Sequence, residues 1–343
     1  MKRILLSLIF GFLFCISCTS QDEDDNDDLL IRRVTDISDK HQAFTDLVYF
    51  NNQFFLAFRE ADKHAYGQDG VIKLLVSQDG FNWNFIKEFS VSGTDLRDPK
   101  FAINKNNLML YIHGSKYENK KAASYTDYNS KYSSLGQWGD LKNVVLDNLK
   151  LTTGKISGNE SWPWRITWYN GKAYSVGYNG NGIFDLYQSD EGNFFKNIKS
   201  FSDISKLPTE STLRVSNKGE FFILARRNNG SALIGRTFDI NGKWDWSSEI
   251  PIQNFGGPNF LFAKNNFMII SGRENDQVVL GQFDIVTKTY KRLLTIKSGG
   301  DCSYPGMVIK DDYLWVSYYS SHESAAGSSI YIAKINLQKL NVN

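Results

Sequence analysis

Disulfide chemistry is the first thing this chain lacks. Of its 3 cysteines, Cys15 and Cys18 lie near the start and only Cys302 remains in the body, so no internal disulfide can form there. No Cys/His cluster has the spacing of zinc ligands. No glycine-rich phosphate loop of the Walker type occurs. Neither a metal nor a cofactor is therefore expected. Charge of one sign is also missing. Setting aside Lys2, Arg3 and the six acids between Asp22 and Asp28, the 39 basic and 37 acidic side chains leave a body of about +6. That is a mild bias toward acidic ligands and not a nucleic-acid signature. The apolar run Ile4 to Phe14 is too short to span a bilayer permanently.

What is present begins with that run. Lys2 and Arg3 precede it, and Cys15-Ile16-Ser17-Cys18 follows, so residues 1–17 read as a lipoprotein signal peptide with Cys18 as the lipidated residue. The stretch to Asp28 is polar and acidic, cannot bury a core, and reads as a tether over 18–28. It resembles the acidic tag that sends some lipoproteins to the outer face of the outer membrane. The periplasmic face is the alternative. Residues 29–343 are expected to form one domain.

Within that domain a unit recurs six times. A short strand meets an Asn/Gly/Lys/Asp turn, and a strongly apolar strand follows. The turns are spaced by 46 to 65 residues, and each gap holds a third strand and usually a fourth. Four antiparallel strands per unit make a propeller blade. The last unit lacks a fourth strand, so Leu30 to Thr35 is expected to close it. Closure removes the open sheet edges. The fold class is thus all-β, a six-bladed propeller closed by an N-terminal strand.

First strands begin, and second strands end, on one face of such a ring. The residues there are unusually polar: Asp46, Arg59-Glu60, Arg97-Asp98, His113, Trp162 to Arg165, Tyr178, Glu210, Arg226-Arg227, Arg273-Glu274, Tyr304 and Tyr318-Tyr319. The opposite face carries turns of Asn, Gly and Lys. The polar rim is the candidate site. Trp164 is placed to stack on a sugar ring, and Arg59, Arg97, Arg165 and Tyr319 to contact substrate. His64 and His322 follow second strands of blades that neighbour each other in the ring. They are expected to meet over the pocket as acid and base near neutral pH.

These residues resemble the sialidase superfamily. Ser77-Gln78-Asp79-Gly80-Phe81-Asn82-Trp83 looks like an Asp-box one residue short, and Ser189 to Phe195 like a degenerate copy. The resemblance extends over nearly the whole body, through Phe58-Arg59-Glu60, Asp95 to Asp98, Trp164 to Trp168 and Gly299 to Gly306. It implies that Glu210 activates Tyr304 as a nucleophile, that Arg227 and Arg273 hold a substrate carboxylate, and that Asp69 is the acid/base. The family's first arginine is missing, since its place reads Phe44-Thr45-Asp46. The leading expectation is a cell-surface enzyme that hydrolyses glycosidic bonds of acidic oligosaccharides. A lyase or dehydratase acting beside a uronate carboxylate, and a non-catalytic glycan binder, stay open. The expected state is a monomer whose partner is a glycan, which meets the membrane by its lipid anchor only and binds no nucleic acid.

Overall fold

Phe54 to Phe58 are all buried, the pattern of a strand covered on both faces. Strands near the outside alternate instead, as in Asp245–Gln253, where every second residue from Ser248 on is buried. That gradient from inside to outside is what wedge-shaped sheets around a common axis produce. The computed structural model describes residues 28–147, 161–180, 182–264 and 266–340 and places 24 strands in them, with no helix.

β1 is Leu29–Arg33. Blade 1 holds β2 (His41–Phe50), β3 (Gln53–Ala61), β4 (Val71–Ser77) and β5 (Asn84–Phe89). Blade 2 holds β6 (Asp95–Asn104), β7 (Asn107–Glu118), β8 (Lys121–Lys131) and β9 (Lys142–Asp147). Blade 3 holds β10 (Trp162–Tyr169), β11 (Lys172–Tyr178), β12 (Phe184–Ser189) and β13 (Phe194–Ser200). Blade 4 holds β14 (Pro208–Val215), β15 (Phe221–Arg227), β16 (Gly230–Thr237) and β17 (Asp245–Gln253). Blade 5 holds β18 (Gly256–Phe262), β19 (Phe267–Glu274), β20 (Gln277–Asp284) and β21 (Thr289–Ile296). Blade 6 holds β22 (Cys302–Lys310), β23 (Tyr313–Ser320) and β24 (Ser329–Asn336), and β1 completes it by pairing with β24.

The inner strands touch in sequence, β2 to β6, β10, β14, β18, β22 and back to β2. Six hydrophobic clusters fill the six spaces between neighbouring blades, so the core is distributed around the ring. Blades 2 and 3 are further joined by a short parallel pairing of β9 with β13. The signal peptide and the lipidation residue Cys18 lie outside the described residues, as does the tether except Asp28.

The Asp-box turns sit between third and fourth strands. Asp79 accepts from the backbone N–H of Phe81 and Asn82 and from the Ser77 hydroxyl, which pulls its carboxyl far below the ordinary range. Gly80 is required here: its φ is +82°, and a Cβ would come within 2.4 Å of Trp315. A third turn of this kind was not recognised from sequence. Thr237-Phe238-Asp239-Ile240-Asn241-Gly242-Lys243-Trp244 keeps the eight-residue spacing, with Thr for Ser and Asn for Gly. Its Thr237 hydroxyl and Asp239 carboxylate bond the turn's backbone.

One irregularity recurs in every blade. Each inner strand has a bulge one to three residues from its start, at Phe44-Thr45, Asp98-Pro99, Trp164-Arg165, Thr209-Glu210, Gly257-Pro258 and Tyr304-Pro305. Phe44, Asp98, Gly257 and Tyr304 take positive φ there, a strained choice for the three that are not glycine. Bulges re-aim side chains, and here they do so at one mouth of the channel.

Candidate active site

The bulges of blades 4, 5 and 6 converge. The Tyr304 hydroxyl donates to Glu210 Oε1 at 2.7 Å. Arg226 Nη1 donates to the same oxygen at 3.0 Å, and the Gly257 N–H donates to Oε2 at 2.6 Å. Gly257 must be glycine, because its φ is +59° and a Cβ would lie 3.0 Å from the Tyr304 backbone. Burial pushes the Glu210 carboxyl up, but Arg226, Tyr304 and Gly257 together hold it below its ordinary value. Burial, then Glu210 and Asp98, push the Tyr304 phenol well above its own. The proton therefore rests on Tyr304, with Glu210 as its hydrogen-bond acceptor.

Below this pair lie buried charges. Asp46 makes two bonds of 2.9 Å to Arg165 and accepts from the Phe101 N–H. The Lys100 ammonium sits 5.0 Å over the Trp164 ring and 5.7 Å over that of Tyr304. Burial brings its pKa down to about 8. Asp98 is buried beside Arg97, and burial raises its carboxyl.

The other half of the mouth, between blades 6 and 1, is built on Asp301. Its Oδ2 meets His41 Nε2 at 2.7 Å and His64 Nδ1 at 2.8 Å, and its Oδ1 accepts from the Tyr319 hydroxyl at 2.8 Å. Burial works against the charge, but the two imidazoles outweigh it and hold the carboxyl far below its ordinary range. Phe44 links the halves: its ring centroid is 4.9 Å from that of Tyr304 and 5.1 Å from that of His64.

The structure thus brings Glu210, Tyr304 and His64 to one mouth, and it shows where the other expected residues stand. Arg226 faces Glu210, while Arg227 reaches outward to Ser231 O and Glu249 in the outer strands of blade 4. Of these two neighbours Arg226 takes the place expected for Arg227, because alternation along β15 sets Arg226 on the side of Phe222 and Leu224, toward blade 5, and Arg227 on the other. Arg59, Arg97 and Arg165 are buried and held by Asp95, Asp95 with Asp98, and Asp46. Their guanidinium groups are thus engaged by carboxylates of the chain itself. Tyr319 and Trp164 are buried too, one on Asp301 and one under Lys100. Among the described residues Arg273 meets no carboxylate; its Nη1 lies 3.4 Å from Cys302 O.

The expected meeting of His64 and His322 is replaced by one of His64 and His41, with ring centroids 5.0 Å apart. His322 bonds Ser320 and packs on Tyr331. Asp69 is exposed in the loop 62–70. His41 and Asp301 were missed as site residues. The signal was present, since His41 is one of only 4 histidines and Asp301 sits in Gly299-Gly300-Asp301, but the partners are 260 residues apart.

A groove of about 1260 Å³ lies on the turn face, among Phe222, Phe238, Phe262 and Phe267. It carries none of this chemistry: its Arg236 and Glu220 pair with each other and its remaining charges lie on turns.

No protein-family model and no curated protein matches the chain. Solved structures do. A sialidase of Trypanosoma rangeli, in complex with the inhibitor DANA, aligns with a TM-score of 0.66 at 13% identity, over 86% of this chain and 55% of that one. The phage phi92 endosialidase gives 0.68 at 10% identity, over 90% and 69%. The NanB sialidase from Streptococcus pneumoniae gives 0.67 at 11%, over 92% and 71%. The chain spans little more than half the trypanosomal protein. These likenesses establish a sialidase-like propeller fold.

Proposed function

We propose that the chain is a glycoside hydrolase in which Tyr304 attacks the anomeric carbon and Glu210 accepts its proton. The 2.7 Å bond between them carries this reading, because a phenol at a channel mouth is a poor nucleophile without a carboxylate to take its proton. Arg226 and Gly257 fix that carboxylate in place. Arg273, free of any carboxylate partner among the described residues, is the group left to meet an acid of the substrate, which favours acidic oligosaccharides.

The test is a panel of acidic oligosaccharides, followed by new reducing ends and by ultraviolet absorbance. Wild type generates reducing ends. Tyr304→Phe and Glu210→Gln each lose on the order of 10²-fold in turnover, and the double variant little more. Near-normal turnover in Tyr304→Phe removes the reading. An ultraviolet-absorbing unsaturated product instead supports a second one, elimination beside a uronate, for which the exposed His64 on Asp301 is the motive. We place the enzyme at the cell surface through Cys18. Cys18→Ser releases it from membranes, and unchanged partition removes that placement.

A further inference from the structure

The hydrolysis reading leaves a role unfilled. A glycosidic oxygen needs a proton as it leaves, and the Glu210–Tyr304 pair holds its single proton for the nucleophile. Asp69 stands exposed in its loop and meets none of the described residues at the mouth. The His41–Asp301–His64 cluster is at the mouth, and its orientation can be read from its neighbours.

Arg59 settles the first ring. Its Nη1 lies 3.5 Å from His41 Nδ1, and an arginine nitrogen can only donate. His41 Nδ1 is then the acceptor, so the neutral ring carries its proton on Nε2 and donates it to Asp301. Burial lowers the pKa of His41, which keeps this ring neutral. The same argument disposes of a metal. The donor atoms of His41, His64 and Asp301 lie within 4.8 Å of one another, a spacing a divalent cation accepts. A metal on His41 Nε2 needs the proton on Nδ1, facing a guanidinium, where no acceptor exists.

The second ring is set by the loop that carries it. Arg97 Nη1 donates to His64 O at 2.9 Å, and Arg59 Nη1 to Lys63 O at 2.9 Å. Both arginines bind the buried Asp95, which also accepts from the Gly70 N–H. The loop is thus pinned at both ends by three buried charges. His64 Nδ1 is turned inward to Asp301, and the side chain remains 48% exposed. Its Nε2 is the nitrogen left for a ligand.

We propose that His64, held by Asp301 and backed by His41, is the acid/base group of this site. The inference rests on the hydrolysis reading. In the first step the Tyr304 oxygen bonds the anomeric carbon and its proton passes to Glu210. The glycosidic C–O bond breaks with its electron pair on the leaving oxygen, and His64, entering the step as the imidazolium, gives that oxygen its Nε2 proton and is left as the neutral Nδ1–H ring. In the second step water attacks the carbon and yields a proton to His64 Nε2, while Tyr304 leaves and recovers its proton from Glu210. Asp301 faces the positive charge that appears and disappears on the ring. Phe44, between His64 and Tyr304, keeps the two reacting groups on opposite sides of the bond. The groups facing His64 are Asp301 and His41, with Arg97 at its carbonyl and Phe44 on its ring.

The test has a substrate-free arm. In protein labelled with ¹⁵N-histidine, at a pH where the rings are neutral, His64 shows the Nδ1–H tautomer and His41 the Nε2–H tautomer. A free imidazole prefers Nε2–H, so the His64 signal is diagnostic. Asp301→Asn abolishes it. Ordinary Nε2–H at His64 in wild type overturns the proposal. One equivalent of Zn²⁺ leaves both rings unchanged; shifts at both nitrogens would make this a metal site and overturn it too. The second arm uses whichever oligosaccharide wild type cleaves. His64→Gln loses on the order of 10²-fold in kcat, with KM nearly unchanged, and added imidazole restores part of it. Full activity of His64→Gln beside an inactive Tyr304→Phe removes this inference alone. No cleavage of any oligosaccharide by wild type removes the hydrolysis reading, and this inference with it.

Discussion

Of the three His–Asp contacts among the described residues, two of nearly equal length lie in opposite surroundings. His113 Nδ1 meets Asp127 at 2.6 Å with the side chains 2% and 5% exposed, and its ring stacks on Trp162 at 3.7 Å. His64 meets Asp301 at 2.8 Å with the side chains 48% and 31% exposed. The two carboxyls move in opposite directions. Burial raises that of Asp127 against the pull of one histidine, whereas two imidazoles hold that of Asp301 down despite burial. The same two residue types thus make a structural rivet in blade 2 and a charged, accessible pair at the mouth. Distance does not separate the two cases; access and the number of donors do.

The largest expected effect breaks the comparison at the open pair. Asp301→Asn lowers turnover on the order of 10²-fold while thermal unfolding changes little, read by kinetics beside a melting curve. The sealed pair behaves the other way. Asp127→Ala strands His113 in the interior and costs about 3 kcal/mol in urea unfolding, with turnover within roughly twofold of wild type. Loss of turnover at full stability in that variant would move the chemistry to blade 2.

Lys100 sets the scale for burial itself. Its folded pKa of about 8 lies below its ordinary value of 10.5, so between those limits the unfolded chain binds the extra proton. Stability from this group therefore rises from pH 8 toward 10.5, by roughly 2 to 3 kcal/mol. Lys100→Met lacks that rise, which paired denaturation curves at several pH values detect. The smallest effect sharpens the contrast of the pairs. The depressed Asp301 contributes stability present above about pH 4 and lost as pH falls; the raised Asp127 carries a penalty above about pH 4 that acid relieves. The differences between wild type and Asp301→Asn, and between wild type and Asp127→Asn, should drift in opposite directions on acidification.

The hairpins made the fold legible, because apolar second strands and their turns recur in the sequence itself. The closing strand was legible by elimination: Leu30 to Thr35 had no other partner, and β1 pairs with β24. Glu210 and Tyr304 were legible through a family order of residues. The bulges were not, since an extra residue in a strand leaves no mark in composition. Arg97 and Arg165, two of the rim arginines expected on a ligand, sit at such bulges and are held by Asp95 with Asp98 and by Asp46. His41 and Asp301 each left a signal, but their meeting did not: ring closure brings blade 6 against blade 1, and no local pattern reports a contact across that seam.

That seam also fixes how the molecule would carry a load. Asp28 leaves the ring on the turn face, where the Asn336 N–H reaches its carbonyl and the Leu337 N–H that of Asp312. The mouth is on the far side, so an anchor at Cys18 would leave it pointing away from the membrane. Tension on such an anchor would run along β1, which lies antiparallel to β24 from Leu29–Ile335 to Arg33–Tyr331. Pulled from that end, the strand is loaded in shear, and its backbone bonds resist together where a peeled strand would surrender them one at a time.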